Sequence, residues 1–139
     1  MKITEFALRK YLIQMKGNNV NFNFENSRYT VKLVLLKNPA SVARRYKKFF
    51  GDNSEELLGC FIQKSSTKYG IGEICLSIEK LDLYTIIHEV SHACVYFDKK
   101  INMVNKLEGF HEEIFATNME GMVQKIIKYL RYLGIRFKS

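Results

Sequence analysis

The spacing of the apolar residues changes near Asp82, and this change constrains the fold more than any other feature of the sequence. Before it, short apolar or alternating segments are separated by polar turns, a pattern typical of strands paired as hairpins. After it, apolar residues recur with the helical period, which predicts two long helices. We therefore predict an α+β fold in which helices back a small, twisted, mainly antiparallel sheet.

The predicted elements follow one another closely along the chain. The strand candidates are residues 20–25, 29–36, 57–64 and 70–78, and the last of them is predicted to be an edge strand. The helix candidates are residues 5–16, 39–50, 83–97 and 111–133, with residues 98–110 as a loop. Asn38 and Pro39 mark the start of the second helix, and Gly51 follows its end. The buried stripe of the third helix is predicted to consist of Leu83, Ile86, Ile87, Val90, Cys94 and Phe97.

Size and composition indicate one folded domain covering residues 1–139. Apolar residues make up 47% of the chain, which is enough for a hydrophobic core. No apolar run approaches the roughly 18 residues that span a bilayer, and the charged N-terminus does not resemble a signal peptide. Three cysteines without a C-x-x-C pair predict buried thiols rather than disulfides. We expect a soluble, cytoplasmic protein without membrane contact.

The net charge of +8 favours anionic partners, either an acidic protein or nucleic acid. The basic residues are spread along the chain, for example in residues 43–48 and 98–100. Without an arginine-rich block, a solvated basic surface explains the charge better than specific nucleic-acid binding does.

The segment "HEVSH" places His88 and His92 four residues apart on a predicted helix. At about 100° per residue, their imidazoles project from the same side of the helix, one turn apart. Two such nitrogens can occupy two corners of a tetrahedral zinc site, and Glu89 beside them can accept a proton from water. The alternative is an ordinary pair of surface or core histidines, but the apolar stripe lies roughly opposite them. We therefore predict a zinc ion held by His88 and His92.

A catalytic zinc site requires a third protein ligand. The start of the last predicted helix supplies three candidates, His111, Glu112 and Glu113. If that helix packs antiparallel to the helix that carries "HEVSH", its N-terminal turn returns toward the metal. The other interpretation is that acidic residues there interact with the positive end of the helix dipole.

"HEVSH" followed about twenty residues later by "EEIFA" resembles the glutamate-type zincin metallopeptidases, or gluzincins. More narrowly, it resembles the minimal zinc peptidases of phages and other mobile elements that are related to the ImmA/IrrE group. The resemblance implies that His88 and His92 bind zinc, that Glu89 is the general base, and that a glutamate of the next helix is the third ligand. The family spacing favours Glu113, because Ala116 follows it by three residues, although Thr117 stands where Asp or Asn is common.

Helical periodicity instead favours Glu112, and a looser resemblance to SprT-like proteases favours His111 as the ligand.

The resemblance to gluzincins implies hydrolysis of peptide bonds in a cytoplasmic protein, with the strand at 70–78 aligning an extended substrate. Tyr84, His111 and Tyr132 are candidates for stabilising the oxyanion. Two alternatives remain: a binding protein that keeps the zincin scaffold without turnover, and a basic nucleic-acid-binding domain without metal.

Overall fold

The computed structural model describes residues 19–51, 57–64, 67–105 and 111–138, without the side chains of residues 104 and 105. The predicted helix over residues 5–16 lies outside these ranges. The elements, in chain order, are β1 (Asn19–Asn23), β2 (Thr30–Leu36), α1 (Pro39–Phe50), β3 (Gly59–Ile62), β4 (Gly70–Ser77), α2 (Leu83–Asn105) and α3 (Glu112–Tyr132). The α+β class predicted from the sequence is thus confirmed for the described part of the chain.

The four strands form one mixed sheet in the order β1-β2-β4-β3. β1 and β2 pair antiparallel, as do β3 and β4, so both predicted hairpins are confirmed. β2 and β4 pair parallel, and the chain between them crosses over through α1 and β3. The prediction that strand 70–78 lies at an edge is wrong: β4 is hydrogen-bonded on both sides, and the edge strands are β1 and β3. Seven of the eight residues of β4 are buried, as is typical of an interior strand covered on both faces.

Each face of the sheet has its own core. α2 and α3 cover one face, where Ile74 and Leu76 of β4 belong to the same buried cluster as Ile86 and Val90 of α2 and Ile126 of α3. On the opposite face, α1 buries a smaller cluster: Val34, Val42, Cys60, Ile62 and Cys75. All three cysteines are free and buried, which confirms their prediction as buried thiols.

α1 begins and ends where its sequence predicts. Asn38 caps it by accepting a hydrogen bond of 2.9 Å from the Ser41 backbone nitrogen, Pro39 is its first residue, and Gly51 follows its last. Gly51 has φ of +86°, a backbone conformation that glycine adopts without steric strain.

α2 is longer than predicted, because residues 98–105 are helical rather than part of a loop. The buried residues continue past Phe97, whose ring stacks on that of Phe24 at 4.2 Å, to Asp98, which is also buried. The predicted stripe also differs at two positions: Leu83 is only half-buried and Ile87 is 40% exposed, whereas Ala93 is buried in the core. Among the helices described, none has the length and hydrophobicity needed to cross a membrane.

Candidate metal centre

The rotation of α2 on the sheet decides which side chains of "HEVSH" reach solvent. The helix starts after Asp82, whose Oδ1 accepts a hydrogen bond of 2.7 Å from the Thr85 backbone nitrogen. Ile86 and Val90 are completely buried against the sheet. His88 and His92 therefore face solvent, whereas Glu89 points toward the body of the protein.

The two imidazoles lie in contact, as the helical spacing predicts. Their Nε2 atoms are 3.2 Å apart, and their ring centroids are 4.8 Å apart with the planes at 84°. Two nitrogens bound to one tetrahedral zinc at about 2.0–2.1 Å lie about 3.3–3.4 Å apart. Without an ion, the same contact can be a hydrogen bond from one ring to the other. The distance is thus compatible with a shared metal ion and with a direct hydrogen bond.

Glu89 completes the group. One ligand atom from each of His88, Glu89 and His92 lies within 4.8 Å of the others, and no other group of this kind occurs in the described ranges. The residue is only 5% exposed. Burial raises the pKa of Glu89 from 4.5 to about 7, because desolvation disfavours a charged carboxylate. A carboxyl group with a pKa near neutrality can both accept and release a proton at physiological pH.

Gly59, at the start of edge strand β3, gives Glu89 its space. A Cβ atom at Gly59 would lie 3.1 Å from Glu89 Cγ and 2.9 Å from Thr85 Cγ2. It would also lie 3.1 Å from the Cys75 carbonyl oxygen. β3 can thus approach α2 closely only because residue 59 has no side chain. Gly59 is not among the site residues predicted from the sequence, since nothing local in the sequence indicates which helix its strand contacts.

We expect Gly59→Ala to destabilise the protein by about 1–3 kcal/mol, because the added methyl group overpacks the contact between β3 and α2. The measurement is urea unfolding of the metal-free protein. Thr85→Ser provides the matched test, because it removes the Cγ2 atom at 2.9 Å and keeps a hydroxyl group. In a double-mutant cycle, Gly59→Ala should be less costly in the Thr85→Ser background. Equal costs in both backgrounds would show that the contact with Thr85 Cγ2 is not the cause of the destabilisation by Gly59→Ala.

The three candidates for the third ligand lie at the start of α3, outside the group formed by His88, Glu89 and His92. His111 Nδ1 is 3.6 Å from Asp98 Oδ1. Glu112 and Glu113 are exposed in the first turn of α3. The third ligand therefore remains a prediction.

The length of α2 explains this placement. Asp98 lies six residues beyond His92, which corresponds to about 9 Å along the helix axis. The sequence pattern predicts that the chain leaves α2 near residue 98, whereas the helix continues to Asn105. α3 therefore begins farther along α2 than assumed.

The surface around the two histidines is partly apolar. Tyr84, 75% exposed, stacks on His88 with ring centroids 5.9 Å apart, so it is the oxyanion candidate in contact with the group. Ile87 and Val95 are also exposed on α2, and Leu58 is exposed beside Gly59. Tyr132, another candidate for stabilising the oxyanion, is the last residue of α3 and is exposed.

Comparison of the chain with protein-family models, with curated proteins and with solved structures finds no match.

Proposed function

We propose that the protein is a zinc-dependent metallopeptidase of the gluzincin type, related to the phage and ImmA/IrrE peptidases that its sequence resembles. One observation carries the proposal: two exposed imidazole nitrogens lie 3.2 Å apart, and a buried glutamate follows the first histidine. A purely structural histidine pair has no need of a carboxyl group held next to it at a raised pKa.

The proposed roles combine the positions of His88, Glu89 and His92 with the third ligand that the resemblance to gluzincins implies. His88 and His92 would hold the zinc ion together with a residue from the start of α3, for which Glu113 is favoured over Glu112 and His111. Zinc would polarise the scissile carbonyl group and lower the pKa of a bound water toward about 7. Glu89 accepts the proton of the attacking water and donates it to the leaving amine. Tyr84 lies beside His88, where a phenol can donate a hydrogen bond to a developing oxyanion.

The edge strand supports an extended peptide as the substrate. β3 pairs with β4 on one side only, so a peptide can add to its other side through backbone hydrogen bonds. Gly59 of this strand lies against Glu89, which brings the added strand close to the general base. The exposed apolar residues Leu58, Ile87 and Val95 favour apolar side chains near the scissile bond.

Metal-dependent cleavage of an unfolded protein tests the proposal. The zinc-loaded protein is incubated with casein, and the fragments are identified by mass spectrometry. We expect fragments that disappear after chelation and return when zinc is added, because the activated water depends on the metal. A casein fragmentation that persists after complete removal of zinc would refute a metallopeptidase.

A zincin scaffold that acts by binding alone is the second candidate, and the net charge of +8 is the observation in its favour. Such a protein would bind zinc and a partner but would leave every peptide bond intact. The Glu89 variant considered in the Discussion separates the two functions, because only the peptidase needs a base at this position.

A further inference from the structure

The face of the sheet opposite α2 and α3 is only half covered. α1 packs on Val34 and Cys75, which are neighbours across β2 and β4. Two residues back along the same strands, the side chains on this face are polar: Asn21, Lys32 and Glu73 are neighbours across β1, β2 and β4. This sheet face therefore divides into an apolar half under α1 and a polar half that α1 leaves open.

The open half is a concavity of about 460 Å³. Its lining residues, which define the sheet concavity below, are Asn21, Thr30, Lys32, Phe49, Lys64, Thr67, Gly70, Gly72 and Glu73. Arg45 neutralises the one acidic residue of this lining by donating two hydrogen bonds of 2.9 Å to the Glu73 carboxylate. The remaining charges, on Lys32 and Lys64, make the concavity a site for an anionic group.

The basic surface continues from the concavity onto α1. This helix contains no acidic residue, and Arg44 and Lys48 are exposed on it. Within the described ranges, the ion pairs found do not involve Lys32, Lys64 or Lys48. Basic side chains without an acidic partner in these ranges are available to successive phosphates of a bound chain.

Aromatic rings lie among these charges. Phe49 lines the concavity, with Lys64 Nζ 5.5 Å from its ring centroid. Phe50 is 52% exposed, and its ring lies 4.7 Å from that of Tyr46. Basic side chains that follow a backbone, together with exposed rings on which bases stack, are the features of surfaces that bind single-stranded nucleic acid.

We propose that the sheet concavity and the exposed face of α1 bind single-stranded nucleic acid. Lys32 and Lys64 each contact one phosphate group at the concavity, and Arg44 and Lys48 each contact one phosphate group along α1. Phe50 provides a ring for an unpaired base. The surface lies on the opposite side of the sheet from α2, so the inference does not depend on the metal centre or on peptidase activity.

The test is fluorescence anisotropy of a labelled oligothymidylate of about 12 nucleotides with the full-length protein. We expect the logarithm of the affinity to fall linearly with that of the salt concentration, with a slope near −3 for four phosphate contacts at about −0.7 each. The double variant Lys32→Gln/Lys64→Gln should bind about tenfold more weakly, and its slope should be shallower by about 1.4.

The control removes the same charge from the other side of the molecule. Lys99 of α2 and Lys128 of α3 are exposed, and the double variant Lys99→Gln/Lys128→Gln should retain the wild-type affinity and slope. Equal losses in the two double variants would show that only the net charge attracts the oligonucleotide, which would overturn the proposal. Absence of binding in about 50 mM salt would overturn it as well.

The aromatic contribution distinguishes single strands from other polyanions. Phe50→Leu should weaken oligothymidylate binding at least about fivefold, because it removes a stacking platform. The variant should leave the weak binding of polyglutamate unchanged. If polyglutamate competes as effectively as the oligonucleotide, or if Phe50→Leu has no effect on oligonucleotide binding, the surface recognises acidic proteins and the proposal fails. Circular dichroism checks that each variant is folded.

Discussion

Replacing Glu89 by glutamine is expected to abolish peptide hydrolysis while leaving one zinc ion per protein molecule. An amide cannot accept the proton of the attacking water, and a positioned general base contributes about 10²–10⁴-fold to such a reaction. The two histidines, whose Nε2 atoms are 3.2 Å apart, are unchanged in the variant. Cleavage of casein and zinc content, measured on the same preparations, check both parts of the expectation.

The stability of the metal-free variant provides the control for its folding. Folding raises the pKa of Glu89 from 4.5 to about 7, so the folded protein binds more protons than the unfolded chain between these pH values. The wild type should therefore lose stability as the pH rises from 4.5 to 7, whereas glutamine does not titrate. Unfolding by urea in the presence of a chelator should show Glu89→Gln gaining stability relative to the wild type over this range.

Three results would lead to different conclusions. Cleavage by Glu89→Gln at the wild-type rate would remove Glu89 from the mechanism. Loss of zinc together with activity would indicate that Glu89 supports the metal rather than the proton transfer. A wild type that binds zinc but cleaves nothing would favour the scaffold that acts by binding alone.

His88→Ala is expected to reduce the zinc content from one equivalent to none. A zinc site depends on all of its protein ligands, and one imidazole with the third ligand from α3 does not compete with chelators or water for the ion. Metal analysis after dialysis measures the change, and the loss of casein cleavage should accompany it. His92→Ala should behave in the same way, because the two rings are in contact.

Ser91→Ala is the matched control, since Ser91 lies between the two histidines and its hydroxyl group donates a hydrogen bond of 2.6 Å to the His88 backbone oxygen. This variant should keep its zinc. If His88→Ala also keeps one equivalent, the two histidines are not the metal ligands and the proposed function fails.

The same measurement identifies the third ligand. Alanine variants of His111, Glu112 and Glu113 are compared, and we expect Glu113→Ala to lose the most zinc affinity. His111 is the alternative with a structural role of its own, because its ring lies 3.6 Å from buried Asp98. Its variant should therefore be compared for stability as well as for zinc.

The parts of the structure that local geometry determines were predictable from the sequence. Asn38 and Pro39 specify the start of α1 by capping and by a fixed φ. The position of His88 and His92 on one side of α2 follows from the rotation of a helix, whatever the helix packs against.

Features that depend on distant contacts were predicted less well. The interior position of β4 results from its pairing with β2, which is far away in the sequence. Past Phe97, α2 continues with Ile101 packed against the core cluster. The contact between Gly59 and Glu89 joins two residues thirty positions apart. Helical and strand periods indicate which residues of an element face the core, but they do not indicate which other element packs against that face.

The parallel pairing of β2 and β4 also bears on how the chain folds during synthesis. β3 is made before β4 but pairs only with it, and β4 is the strand that joins β3 to the hairpin of β1 and β2. Until Ser77 has emerged from the ribosome, the only complete strand pairing available among the described residues is that of β1 with β2, and an isolated hairpin is marginally stable in water. Cooperative folding of the domain therefore requires β4, the last of the four strands to be synthesised. Its contacts with β2 span a long sequence separation, and such contacts are slow to form.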